Sequence, residues 1–187
     1  QGPWSVGLLD IQTGAVDGEV PSTTFAVARV KRDILQRSYV GVLGARRAAT
    51  GGDAHSAYGA DAALAFGETV VNAYWSQTKN PGVDGDDQSY LLKADYGGDR
   101  YGLEAEHLAV GVNFQPDAGF LRREDFRKTR VQARWSPRPV SLPAIRRFQF
   151  EPSFEYYENN AGFVETRQAE MQFQTQLEDG DNFSANW

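Results

Sequence analysis

The residues of this chain that could do chemistry are carboxylates at alternate positions and a knot of arginines. Glu104 and Glu106 lie two residues apart, with His107 facing the other way, and Glu151 and Glu155 share one face of another extended segment. Two facing carboxylates can serve glycoside hydrolysis. Here the acids are scattered along regular alternating runs, not gathered on loops around a pocket, and solvation of a wet face accounts for them. His55 and His107 are isolated from each other, which makes neither a triad nor a zinc site. No phosphate-binding loop, dinucleotide fingerprint or nucleophile elbow is present. Cysteine is absent, which removes thiol catalysis and cysteine-ligated metals. The expectation is a chain that is not an enzyme and takes no cofactor.

Two charged clusters have other uses. Arg122, Arg123, Arg127 and Arg130 meet Glu124 and Asp125 within a few positions. One reading is a cationic patch that lines or gates a lumen. The other is an ion-pair ladder that stiffens a loop folded on the wall. Asp84, Asp86 and Asp87 surround Gly85 and are a weak calcium candidate. Their spacing is not that of an EF-hand, and a solvated Asp-Gly turn explains them better. No metal is therefore expected.

These groups sit on segments with a two-residue rhythm. Thr129, Val131, Ala133 and Trp135 oppose Lys128, Arg130, Gln132 and Arg134. Ala169, Met171, Phe173, Thr175 and Leu177 oppose Gln168, Glu170, Gln172, Gln174 and Gln176. Successive side chains of a strand face opposite sides, so each run has one greasy face and one wet face. Strands are expected over 4–13, 24–32, 38–46, 57–66, 69–78, 89–96, 101–108, 126–135, 147–157, 165–177 and 182–187. Residues 27–35 fit a helix as well as a strand. The chain's 187 residues suffice for one all-β domain with no second domain. Hydrophobic residues make up 41% and charged residues 24%, and mean hydropathy is -0.52. No run approaches the ~20 apolar residues of a spanning helix. A barrel passes this test, because only half of each strand meets lipid. A net charge of -6 argues against nucleic acid as a partner.

The connections alternate long (14–23, 47–56, 79–88, 109–125) and short (33–37, 67–68, 97–100). Outer-membrane barrels pair long extracellular loops with short periplasmic turns. The Pro-rich connection 136–144 weakens the rule; its Pro137, Pro139 and Pro143 cannot donate to a ladder. Aromatics near strand ends, such as Tyr58, Trp75 and Trp135, suit an interfacial girdle or the core of a sandwich. The expected fold is an all-β, antiparallel, up-and-down transmembrane β-barrel with 10–11 strands visible. The last strand would run outward and stop partway, which points to a partial barrel or a fragment. Against this, Phe183, Ala185 and Trp187 resemble an aromatic-ended closing strand.

One stretch goes beyond pattern. Asn113, Phe114, Pro116, Gly119, Phe120, Arg122, Arg123, Asp125, Arg127 and residues 136–139 match a signature that resembles the C-terminal barrel region of the bacterial DUF5916 family. The hairpin from Asp86 to Gly102 and residues 145–148 fit the same region. The resemblance covers residues from about Ser38 to Trp187. It implies an outer-membrane-like region that follows a domain similar to family 9 carbohydrate-binding modules. That module is not in this chain, and the resemblance supplies architecture and location but no substrate. The expected location is the bacterial outer membrane, with lipid bilayer and lipopolysaccharide, saccharides and other envelope proteins as partners. The expected role is anchor, scaffold or conduit, including carbohydrate capture or uptake. The alternatives are a soluble or periplasmic β-sandwich that binds sugars, and a subunit of a larger surface assembly.

Overall fold

A computed structural model describes residues 2–117, 119 and 121–187. Eleven antiparallel strands form one sheet in chain order. They are β1 (Trp4–Thr13), β2 (Thr23–Ile34), β3 (Ser38–Ala49), β4 (Ala54–Phe66), β5 (Thr69–Lys79), β6 (Gln88–Gly97), β7 (Tyr101–Val110), β8 (Phe126–Trp135), β9 (Ile145–Glu158), β10 (Val164–Leu177) and β11 (Asn182–Asn186). The up-and-down order expected from the alternation is thus present. The expected barrel is not closed: β1 and β11 stand at the two ends of the order, with no ladder between them. The strands belong to one sheet, not to the two that a sandwich requires. Residues 27–35, open to a helical reading, lie mostly in β2, because Phe25, Val27 and Arg29 alternate against β3.

One long connection is shorter than expected. β3 and β4 continue pairing through Arg47↔His55 and Ala48↔Ala54, which leaves only residues 50–53 between them. Arg47 and His55, placed in the loop by sequence, pair with each other in one row with Ile11 and Phe25.

The chain packs as two units. The first comprises residues up to Leu64, Asn72–Leu92 and Leu108–Phe126. Its register sorts the side chains into two faces. Val6, Val30, Val42 and Ala60 form one cross-strand row, and Leu8, Ala28, Gly44 and Tyr58 form the next. Arg29, Lys31, Arg47, His55 and Asp61 project from the opposite face, together with Leu9, Ile11, Phe25, Val27 and Leu43. Cross-strand pairs of this kind contribute roughly 0.2–1 kcal/mol each. The apolar face is uncovered, with Val6 67% and Leu8 80% exposed. Tyr58 and Trp75 mark its margin. Tyr58 Oη donates to Gln77 at 2.8 Å and Trp75 Nε1 donates to Gln88 at 3.0 Å, with the rings 6.0 Å apart.

The second unit comprises Ala65–Val71, Lys93–His107 and Arg127–Trp187. Here Val131, Phe154 and Ala169 form a row on one face, and Gln132, Ser153 and Glu170 form a row on the other. Trp135, Phe150 and Phe173 continue the apolar face, with ring centroids 5.3 Å and 5.0 Å apart. Such contacts add to the register because aromatic pairs favour offset or tilted geometry. This face is also open: Val131 is 40% and Phe154 42% exposed.

Candidate functional site

Most of the buried residues of the first unit gather around the segment that follows β7. Thr78, Asp87, Ser89, Ala109, Val110 and Phe114 are all buried there. Gly111 starts the segment by donating its N–H to the Gln88 carbonyl at 2.9 Å. A β-carbon on Gly111 would stand 1.9 Å from the Asp86 carbonyl oxygen, so only glycine allows the chain to pass. Asn113 then donates its backbone N–H to Asp86 O at 3.0 Å and its side-chain amide to Gly85 O at 2.9 Å. Gln115 N–H donates to Thr78 Oγ1 at 3.3 Å, and Asn80 donates to Gln115 O at 3.1 Å. Beneath them Tyr74 and Ser89 hydroxyls meet at 3.0 Å, and Ser89 donates to Ala109 O at 3.0 Å. The segment ends on Asp117, whose carboxylate contacts His55 Nδ1 and lies 3.7 Å from Arg47 Nη1. It is thereby seated across the ends of strands β5–β7 and tied to Arg47 and His55 of the β3–β4 hairpin.

Asp87 is the charged anchor of this seat. It is buried and accepts from Lys79 Nζ at 2.7 Å and from Gln77 Nε2 at 2.9 Å. The Lys79 hydrogen bond holds its carboxyl below the ordinary aspartate value, against the opposing effect of burial. A depressed folded-state pKa stabilises at pH values above the ordinary value near ~4, and that contribution is lost as pH falls through the folded value. Hydrogen exchange of the Asn113 amide is therefore expected to speed up, beyond its intrinsic pH dependence, as the pH falls below about 4. In Asp87→Asn the amide should be poorly protected at neutral pH and lack that acid transition. An acid transition that survives in the variant would remove Asp87 from the role of anchor.

Of the calcium candidates, Asp87 is thus held by a lysine, and Asp86 takes a left-handed backbone with φ 49°. Among the described residues no group of three or more His, Asp or Glu could hold a metal.

The arginine-rich stretch does not gather into one patch. Arg123 stacks its guanidinium over Phe126 at 5.3 Å, and Asp125 takes φ 57° at the turn into β8. In the second unit Arg127 pairs with Glu158 at 3.3 Å and donates to Asn160 O at 3.1 Å. Arg130 projects from the opposite face and donates to Gln132 at 2.9 Å. Arg122 and Glu124 are exposed. Of the signature residues, Asn113 and Phe114 form the seat and Pro116 accepts from Gly119 N–H at 2.8 Å. Phe120 lies outside the described residues. In residues 136–139, Ser136 N–H donates to Arg100 O at 2.7 Å, and Arg138 pairs with Asp99 at 2.5 Å. These residues tie down the tight turn that joins β6 and β7.

The alternating carboxylates take part in a ladder of opposite charges along the polar face of the second unit. Lys93 pairs with Glu104 at 3.0 Å. Lys128 lies 3.0 Å from Glu106 and 3.7 Å from Glu155. Glu151 accepts from Gln149 at 2.9 Å. His107 lies on the other face, with Nδ1 2.9 Å from Thr129 Oγ1. Sequence reasoning found the acids but not their cations, because each cation comes from a neighbouring strand. Chemically, this arrangement offers a hydrated, charge-balanced surface rich in amides that both donate and accept hydrogen bonds. No family model, no curated protein and no solved structure matches this chain.

Proposed function

We propose that this chain is the strand region of a non-enzymatic bacterial outer-membrane β-barrel that serves as an anchor, a scaffold or a conduit for polar solutes. The observation that carries this reading is that each unit leaves an apolar face uncovered, backed by the face on which its ion pairs lie. Soluble monomers rarely leave contiguous apolar patches beyond a few hundred Å², whereas lipid covers such a face at no cost. Tyr58 and Trp75 have the amphipathic placement of an interfacial girdle, with ring bodies on the apolar face and polar ends bonded to glutamines. The polar face then lines the lumen. There the segment that carries Asn113, Phe114 and Asp117 is a folded-in loop of the kind that narrows such barrels. The amides of Gln149, Gln172, Gln174 and Gln176 suit hydroxyl-rich solutes, which supports saccharides as cargo. The resemblance to the DUF5916 family is part of this proposal and points to the same location.

Cell fractionation tests it. The protein is expected in the outer-membrane fraction, resistant to carbonate extraction, with gel mobility that changes on heating. A chain that purifies as a soluble monomer without detergent would overturn the reading.

A further inference from the structure

We propose that the first unit carries a groove for an anionic phospholipid, with an acyl chain along the apolar face and the phosphate on Arg32. This rests on the membrane reading above and adds a specific lipid partner to it. In the register, Trp4, Arg32, Val40 and Ala62 form one row, so the Arg32 guanidinium emerges on the apolar face, near the tight turn that follows β2. Its neighbours Arg29 and Lys31 emerge on the other face. There Arg29 is engaged by Asp61 at 2.8 Å and Lys31 by Asp33 at 3.0 Å. Arg32 instead lies over the Trp4 ring at 5.1 Å. Among the described residues, the apolar face at this end carries a cation with no carboxylate beside it.

A groove of about 520 Å³ runs from Trp4 and Arg32 to Trp75. Ala60, Ala62 and Ala73 leave a trough beside Val30, Val40 and Val42. Of the two charged residues that line the groove, Asp61 projects from the opposite face, where Arg29 holds it, so the charge presented on the apolar face is the Arg32 cation at the groove's end, and its complement is an amphiphile with an apolar tail and an anionic head. A guanidinium binds phosphate oxygens in pairs, and an indole beside it belongs at the headgroup level. A second groove further along the same face ends at Asp10 and Arg46, where both signs are present, so it lacks this preference. Short turns are the periplasmic side of such barrels, and Arg32 lies beside one. The leaflet it meets is therefore the phospholipid leaflet.

The test uses the full chain folded into vesicles of phosphatidylcholine alone, or of phosphatidylcholine mixed equally with phosphatidylglycerol. The protein is then extracted in mild detergent, and native mass spectrometry counts the retained lipid. The wild type is expected to keep phosphatidylglycerol in preference to phosphatidylcholine. Arg32→Gln should cut that retention about tenfold, as loss of a charge-assisted bond does. Ala60→Phe, which fills the trough and leaves the guanidinium in place, should cut it similarly, while Arg46→Gln should not. Equal retention of both lipids by the wild type, or an unchanged preference in Arg32→Gln, would overturn the groove. Failure of the wild type to gain heat-modifiable mobility in either vesicle would overturn the membrane reading itself.

Discussion

Replacing Phe154 with arginine is expected to lower stability in lipid vesicles by about 2–4 kcal/mol, the cost of a cation at mid-membrane on the lipid side of a barrel. Phe154 lies between Val131 and Ala169 in the register and is 42% exposed on the apolar face. Its chain neighbour Ser153 lies between Gln132 and Glu170 on the polar face. Ser153→Arg places the same charge one residue away, beside a carboxylate, and should change stability by no more than about 0.5 kcal/mol. Urea titration of vesicle-folded protein, followed by gel mobility without heating, reads both. The contrast between the two is the informative quantity, since the residues are adjacent and face opposite sides. Equal effects would mean that the two faces do not meet different solvents.

Gly111→Val is the second large effect. Its new β-carbon would meet the Asp86 carbonyl oxygen at 1.9 Å, and that oxygen also accepts the Asn113 N–H. The obstacle is backbone, so the segment must lift or the turn before β6 must shift. A loss of about 1–3 kcal/mol is expected, the usual range for overpacking. The same displacement should free the following chain, so trypsin should cut at Arg122 and Arg123 faster than in the wild type. Gly44→Val is the control: nothing lies within 4 Å of a β-carbon there, and valine suits a strand. Its stability and its rate of cleavage should stay close to wild type. If cleavage at Arg122 and Arg123 does not accelerate in Gly111→Val, the seat is not what holds the segment.

Much of the fold was legible because the period of two is a direct record of facing. β1 and β8 have the expected bounds. The largest shifts, three residues each, fall where β3 runs on to Ala49 and where β4 starts at Ala54. Those ends look like loop because they flank the Gly51-Gly52-Asp53 run, yet Arg47 and His55 pair in one row with Ile11 and Phe25. The site was less legible. Arg122 to Arg130 look like a cluster when counted along the chain, but on a strand Arg127 and Arg130 fall on opposite faces: Arg127 finds Glu158 and the Asn160 carbonyl, and Arg130 the Gln132 side chain two residues along its own strand. Asp87 read as one of three equivalent acids. It is buried and bonded to Lys79 eight positions earlier, and neither fact is visible in the spacing of the three acids. The Asp117 contact with Arg47 and His55 had no local signal at all, since its partners lie in a different hairpin.

β9 runs on past the end of its neighbour: Trp135 closes β8 opposite Phe150, while Ile145–Gln149 continue beyond it. Such an overhang offers bare backbone to any passing strand. The Pro-rich connection covers it, with Pro137 O accepting the Phe148 N–H at 3.0 Å. Pro137, Pro139 and Pro143 have no amide hydrogen to offer in return. The flank is thus occupied by a segment with few amide hydrogens to offer, and an incoming chain finds fewer rungs on which to start climbing. What reads along the sequence as an irregular connection works in the folded protein as a cover over one overhanging strand end.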